Sequence, residues 1–243
     1  MSTSIAQQSV AELGGRTSIL HRQRADHIRL HALIEQASRS DGDAQQDVLN
    51  AICRLVFPHA FAEESVLWPA ARRALPDGPE LTLRIEQEHQ QVNELVTRLE
   101  RSRPGDPGRD ALLEQVFAVL DEDVRDEEDL LLPRLQEVLD PPTLRRLGWS
   151  WEVVRRVAPT RAHPVVARRP PGNVLAALPL SLLDRTRDRL DRLARRRSGR
   201  LSAAAESLST GLAGVAGHLE RLPPFTRGED PSTHRDTRPE AAA

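Results

Sequence analysis

The sequence predicts an all-α protein: an up-down antiparallel four-helix bundle, then extra C-terminal helices and a disordered tail. Three observations carry this. Between residues 16 and 139, apolar residues recur three and four apart in four separate stretches, the spacing of one helical face. Strand-forming residues are scarce; aromatics are 3% and Tyr is absent. The stretches are joined by short runs rich in Gly, Pro and Asp, and short connections make successive helices antiparallel neighbours.

Residues 1–15 form an N-terminal segment. It lacks a basic region followed by an apolar run, so no secretory signal is expected. The first helix carries Leu20, His27, Leu30, His31 and Ile34 on its inward stripe. "SRSDGDAQ" breaks it, with Asp43 the expected N-cap of the second. That helix carries Ile52, Leu55, Val56, His59, Ala62, Glu63, Val66 and Leu67, and "LPDGP" ends it. The third carries Leu81, Ile85, His89, Val92, Val96 and Leu99, and "RSRPGDPGRD" is the next loop. The fourth carries Leu113, Val116, Leu120, Asp123, Glu127, Leu130 and Leu131. Residues 16–139 are therefore the bundle.

Residues 140–197 read as a helical and Pro-rich extension. Asp140 is placed to cap a short fifth helix, with Pro141 at its first position, where a missing N–H costs nothing. "TRAHPVVARRPPGN" is extended. "LPLSLLDRTRDRLDRLARRR" is an amphipathic helix with Leu183, Leu190 and Leu193 on one face. Its Asp184, Asp188 and Asp191, set among arginines, suggest an exposed salt-bridged face. From Ser198 to residue 243, Ala, Gly, Ser and Pro predict a mostly disordered tail with a weak helix over 203–221.

Composition limits the function classes. Net charge is -2, and all 34 basic residues are Arg. The arginine runs fit helix ends and salt-bridged faces, so no nucleic-acid partner is expected. A contact of the extension with the bundle or with another protein is. No apolar run is long enough for a bilayer, so no membrane partner is expected and a cytoplasmic location is. Cys53 is the single cysteine, which excludes an internal disulfide and a Cys-rich zinc site; a buried inert thiol is expected. Trp68, Trp149 and Trp151 are read as packing residues.

The exceptions on the apolar stripes point to chemistry. His59 and Glu63 lie four apart, as do Asp123 and Glu127, so each pair projects from one face. The first two helices also superpose on the next two. "ADHIRLHALIEQ" overlies "QEHQQVNELVTR", and "HAFAEESVLWP" overlies "DVRDEEDLLLP". The repeat sets His27 on His89, His59 on Asp123 and Glu63 on Glu127. Accidental polar residues need not agree between halves. Buried bare, each such group costs roughly 1–3 kcal/mol, more if ionised. A metal pair removes that cost by taking the lone pairs, and mixed imidazole and carboxylate ligands suit iron, manganese or zinc.

The series "DH" (26–27), "HAFAEE" (59–64), "EH" (88–89) and "DVRDEE" (123–128) resembles the hemerythrin family, in its bacterial hemerythrin-like or HHE cation-binding form. The resemblance covers about residues 16–139. It implies a bundle with two non-haem Fe ions held by His27, His59, Glu63, His89, Asp123 and Glu127. It also implies a protein that binds or senses O2, nitric oxide, peroxide or iron, its partner being a small diatomic ligand or peroxide. The departure is Asp123, where the family pattern has His. An anionic ligand there favours the ferric state; a ligand that falls short leaves an open position. His31, one turn beyond His27, is an alternative imidazole. Glu64 and Glu128 are expected to face solvent or to hold neighbouring ligands. Two other readings stand beside the binder: a di-iron enzyme removing peroxide or nitric oxide, and a metal-free helical scaffold acting through its extension.

Overall fold

Proline sets the local geometry of the two helices that carry the paired ligands. The computed structural model describes residues 3–102 and 105–233. Helix α1 is Ile19–Ser38. Helix α2, Gly42–Ala62, continues through a π turn, Glu63–Leu67, into α3, Trp68–Ala74. Helix α4 is Gly78–Arg101. Helix α5, Arg109–Asp126, continues through a second π turn, Glu127–Leu131, into α6, Leu132–Val138. Pro69 and Pro133 follow the two turns. A proline has no N–H for the carbonyl four residues back, and its ring crowds that carbonyl, so the helix widens there. The Trp68 and Leu132 amides bond instead to the Glu63 and Glu127 carbonyls, five residues back. The expected four-helix bundle is thus α1, α2–α3, α4 and α5–α6.

The bundle interior is stratified. One apolar core gathers Leu30 and Ile34, Val48 to Phe57, Val92 to Leu99 and Leu112 to Leu120. A second gathers Ile5, Leu13, Ile19, Leu20, Leu67, Trp68, Ile85, Leu131, Leu132 and Trp151. On every helix the polar stripe residues sit between the two sets: His27 on α1, His59 and Glu63 on the second helix, His89 on α4, Asp123 and Glu127 on the fourth. A polar layer therefore crosses the bundle between two dry halves.

Helix α7, Pro141–Val157, follows. Asp140 caps it as expected, its side chain accepting from the Thr143 amide at 2.9 Å. The cap of α2, by contrast, is Asp41 and not Asp43. Helix α7 packs on α1 and α2, and its Gly148 lies flush against the chain entering α1; a Cβ there would meet the Thr17 carbonyl at 2.1 Å. Residues 158–171 form a strap, and α8, Gly172–Arg196, pairs with α9, Arg200–Leu219. No helix among the described residues is long and apolar enough to cross a membrane.

The extension departs from the sequence expectations in four places. Residues 198–233 are ordered, with α9 a full helix. Its buried positions are the small Ala205, Ser209 and Ala216, which let it lie close on α8 without a leucine stripe. The following chain hydrogen-bonds to the strap and to the start of α8, accepting from Ala167 N–H at the Phe225 carbonyl and from Gly172 N–H at the Arg227 carbonyl, both at 3.0 Å. Residues 234–243, also expected to be disordered, lie outside the described residues. The buried face of α8 is Ala176, Ala177, Leu180, Ser181 and Asp184, while Leu193 is exposed. Its aspartates face the strap. Asp184 is buried against His163 at 3.1 Å, and Asp188 and Asp191 both bind Arg161. Trp68 and Trp151 are buried, but Trp149 is exposed beneath the Arg22 guanidinium.

Candidate metal centre

The six stripe residues converge in the polar layer, and all six are buried. Helix α1 supplies His27, α2 supplies His59, and α4 supplies His89. Glu63 and Glu127 open the two π turns, and Asp123 lies one turn before Glu127 on α5. His59 Nε2 is 3.0 Å from Glu63 Oε1. His27 Nε2 is 3.2 Å from Glu127 Oε2. His89 Nε2 is 3.6 Å from Glu63 Oε2, 3.4 Å from Asp123 Oδ1 and 4.0 Å from Glu127 Oε1. Two groups of ligand atoms lie within 4.8 Å of one another: His27, His59 and Glu127, and Glu63, His89 and Glu127. Glu127 belongs to both. Asp123 belongs to neither, although it reaches the layer. The tight packing of the layer is completed by Trp68 stacked on His89 and Trp151 edge-on to His59.

Each imidazole is oriented from behind. Nδ1 of His27 lies 2.9 Å from Glu128, Nδ1 of His89 lies 2.9 Å from Glu64, and Nδ1 of His59 lies 3.2 Å from Asp26. A carboxylate on Nδ1 fixes the ring and turns Nε2 inward, the arrangement that holds metal-ligating histidines. Gln23 donates to Glu63 Oε1 at 2.6 Å.

The inward atoms are short of partners. Glu63 Oε2, His89 Nε2, Asp123 Oδ1 and both oxygens of Glu127 are buried without a hydrogen bond. A buried unsatisfied polar atom costs roughly 1–3 kcal/mol, so five in one layer are a large local penalty. Cations held by the two groups would satisfy the Glu63, His89 and Glu127 atoms, and the donor set, imidazole nitrogen with carboxylate oxygen, suits a first-row transition metal. Protons are the competing occupants. Burial pushes the Glu127 carboxyl up to about 8, helped by the charges of Glu63 and Asp123. Burial pulls the His27 imidazolium down, but the nearby carboxylates of Glu127 and Glu128 outweigh that and lift it to about 9. His59 and His89 are likewise held well above their ordinary range, the neighbouring carboxylates overcoming burial.

A cavity of about 20 Å³ opens on one side of the layer, between His27, His59 and Asp123 and the apolar Leu30, Leu55 and Leu120. That is room for one or two small molecules and no more.

Helix α1 turns His31 away from the site. Its side chain is 70% exposed and lies beside Glu35, so it does not replace the missing imidazole. Glu64 and Glu128 hold His89 and His27, as one of the two expectations had it. Gln23 carries no sequence signal, and Asp26 is marked only as the first residue of the "DH" pair. Asp26 precedes His27 by one residue and reaches a neighbouring helix, so no stripe marks it. Cys53 is half-buried and free, and desolvation pushes its thiol up to about 12, consistent with an inert group.

Residues 18–135 match the model of the hemerythrin HHE cation-binding domain. The chain is also similar to an uncharacterised hemerythrin-like protein of Schizosaccharomyces pombe, at 24% identity over 169 residues, which is 69% of this chain and 83% of that protein. No solved structure matches it.

Proposed function

We propose, from the premise that residues 18–135 of this chain belong to the hemerythrin HHE cation-binding family, that its polar layer holds two non-haem iron ions and serves to bind or sense a small oxidant or diatomic gas. The carrying observation is the set of five inward atoms buried without a hydrogen bond, among three imidazoles whose Nδ1 atoms are held from behind. His27 and His59 would hold one metal and His89 and Glu63 the other, with Glu127 within reach of both. When bound, the metal pair supplies Lewis acidity and electrons to O2, nitric oxide or peroxide.

The chain's own residues do the rest. Glu128, Asp26 and Glu64 hold the three imidazoles in the orientation that keeps Nε2 inward. The Leu30, Leu55 and Leu120 wall admits a diatomic-sized guest and disfavours bulk water. Asp123, on that wall in place of an imidazole, adds negative charge and favours the ferric state. That suits a sensor that responds to oxidation better than a reversible O2 carrier.

The test is iron content and electronic spectrum of untagged protein from iron-supplemented cells, with Glu63→Ala beside it. Near two irons per chain with near-ultraviolet charge-transfer bands, both lost in the variant, is the expected result. Metal-free wild-type protein would overturn the reading. Asp123 on the cavity wall also motivates a second reading, an enzyme that removes peroxide or nitric oxide. Multiple turnovers that vanish in Glu63→Ala would select it, whereas a binder reacts once per site.

A further inference from the structure

We infer that the C-terminal extension completes the metal centre: Arg155 and Arg168 are positioning residues that act through Asp26 and Glu64 on the imidazoles of His59 and His89. This rests on the metal-binding reading above. Both arginines lie outside residues 18–135, the span that matches the family.

The two arms are built alike. Asp26 Oδ2 lies 3.2 Å from His59 Nδ1 and also 3.2 Å from a guanidinium nitrogen of Arg155 on α7. Glu64 Oε1 lies 2.9 Å from His89 Nδ1 and 3.7 Å from a guanidinium nitrogen of Arg168 on the strap. In each arm one carboxylate oxygen serves both the imidazole and the arginine. Arg168 is 7% exposed and Glu64 is 1% exposed, so little water screens that pair.

Neither arginine is free to wander. Arg168 also donates to the His163 and Val166 carbonyls at 2.8 and 2.9 Å. The strap is tied to the ligand helix, because the His163 amide donates to Asn93 Oδ1 and Asn93 Nδ2 donates to the His89 carbonyl, each at 2.9 Å. Arg155 is held by Glu152 at 3.0 Å and lies over the Trp151 ring, which itself touches His59.

The physical consequence follows from charge. A carboxylate behind a ligating imidazole pulls on the Nδ1 proton and makes the ring a stronger donor. A guanidinium on the same oxygen withdraws that pull and adds a positive charge to a layer crowded with carboxylates. Strong donors favour the higher oxidation state, so the arginines favour the lower one. They oppose the bias that Asp123 introduces. The extension is thus a counterweight to the substitution inside the bundle.

The experiment compares full-length wild-type protein with Arg168→Gln, Arg168→Lys, Glu64→Gln, the Glu64→Gln/Arg168→Gln double variant and Arg155→Gln. Co2+ affinity is measured by chelator competition, and the midpoint potential is measured on the iron-loaded protein. Melting of the chelated protein reports folding separately. Removing either arginine frees the carboxylate that orients the imidazole, and in Arg168→Gln and Arg155→Gln this loss of orientation is expected to outweigh the lost positive charge and weaken Co2+ binding about 10-fold, while the stronger imidazole donor lowers the potential. Arg168→Lys should keep most of the wild-type values. In the Glu64→Gln background, Arg168→Gln should add nothing, since the two act in series. Unchanged affinity and potential in both single arginine variants would overturn the inference. So would an equal loss with and without Glu64, or a loss in Arg168→Lys as large as in Arg168→Gln. Wild-type protein that takes up neither Co2+ nor iron would instead overturn the metal-binding reading beneath it.

Discussion

Glu127→Gln should change stability in opposite directions with and without metal. Glu127 is fully buried, both its oxygens lack hydrogen bonds, and its carboxyl is pushed up to about 8. Near pH 7.5 the fold therefore carries the cost of a carboxyl held about three units above its ordinary value. At 1.36 kcal/mol per unit that approaches ~4 kcal/mol, of which Gln, still polar and still buried, relieves about 1–3 kcal/mol. The chelated variant should melt about 3–10 °C above the chelated wild type, using ~2–4 °C per kcal/mol for a chain of this size. With metal the order inverts. Metal at 1,000 times its dissociation constant stabilises the wild type by ~4.1 kcal/mol, more than the relief in the variant, and a variant lacking the shared ligand forgoes most of that. The assay is thermal melting by circular dichroism, with chelator and with Co2+. An equal gain from metal in the two proteins, or a chelated variant no more stable than wild type, would refute the assignment of Glu127 as a shared ligand.

Three further predictions follow from the same site and its supports. Metal affinity should rise with pH between about 6 and 9, by ~10-fold per unit for each proton displaced, because Glu127 and His27 hold protons up to about 8 and about 9. Both values are raised, so the stability they lend the metal-free fold is full at low pH and lost as pH rises through them; chelated protein should melt lower at pH 9 than at pH 6, and a melt that climbs over that window refutes the assignment. His31→Ala should leave iron content unchanged where Glu63→Ala abolishes it, since His31 is exposed and Glu63 is not. Gly148→Ala should cost about 1–3 kcal/mol equally with and without metal, because its Cβ would collide with the Thr17 backbone far from any ligand; urea unfolding reads both states.

What could be read from sequence divides along physical lines. The bundle and its six inward polar residues were legible because helical period and internal repeat mark them twice. His31 was a false lead of the same method. It lies one turn from His27, but Leu30 and Ile34 hold the inward line of α1. The carboxylates behind the imidazoles were partly legible: the repeat pairs Glu64 with Glu128 and Asp26 with Glu88, but Asp26 lies off the inward stripe and serves His59 on the neighbouring helix, not the His27 beside it. Arg168 sits on a strap with no period at all, and its contact with Glu64 spans 104 residues of chain. Helix α9 was underread because its contacts use Ala and Ser, which a search for large apolar residues passes over.

The stratified interior has a consequence for how the molecule comes apart. Two dry cores flank a layer of imidazoles and carboxylates, and each of the four bundle helices crosses that layer once. Cooperative unfolding requires that disorder on one side be felt on the other. A polar layer with five atoms left without hydrogen bonds transmits such coupling poorly, and the π turns at Glu63 and Glu127 are the points where the two helices are least continuous. A metal pair bonded to all four helices would join the two cores into one melting unit. Loading the centre should therefore sharpen the transition as well as raise it, turning a fault line into a weld.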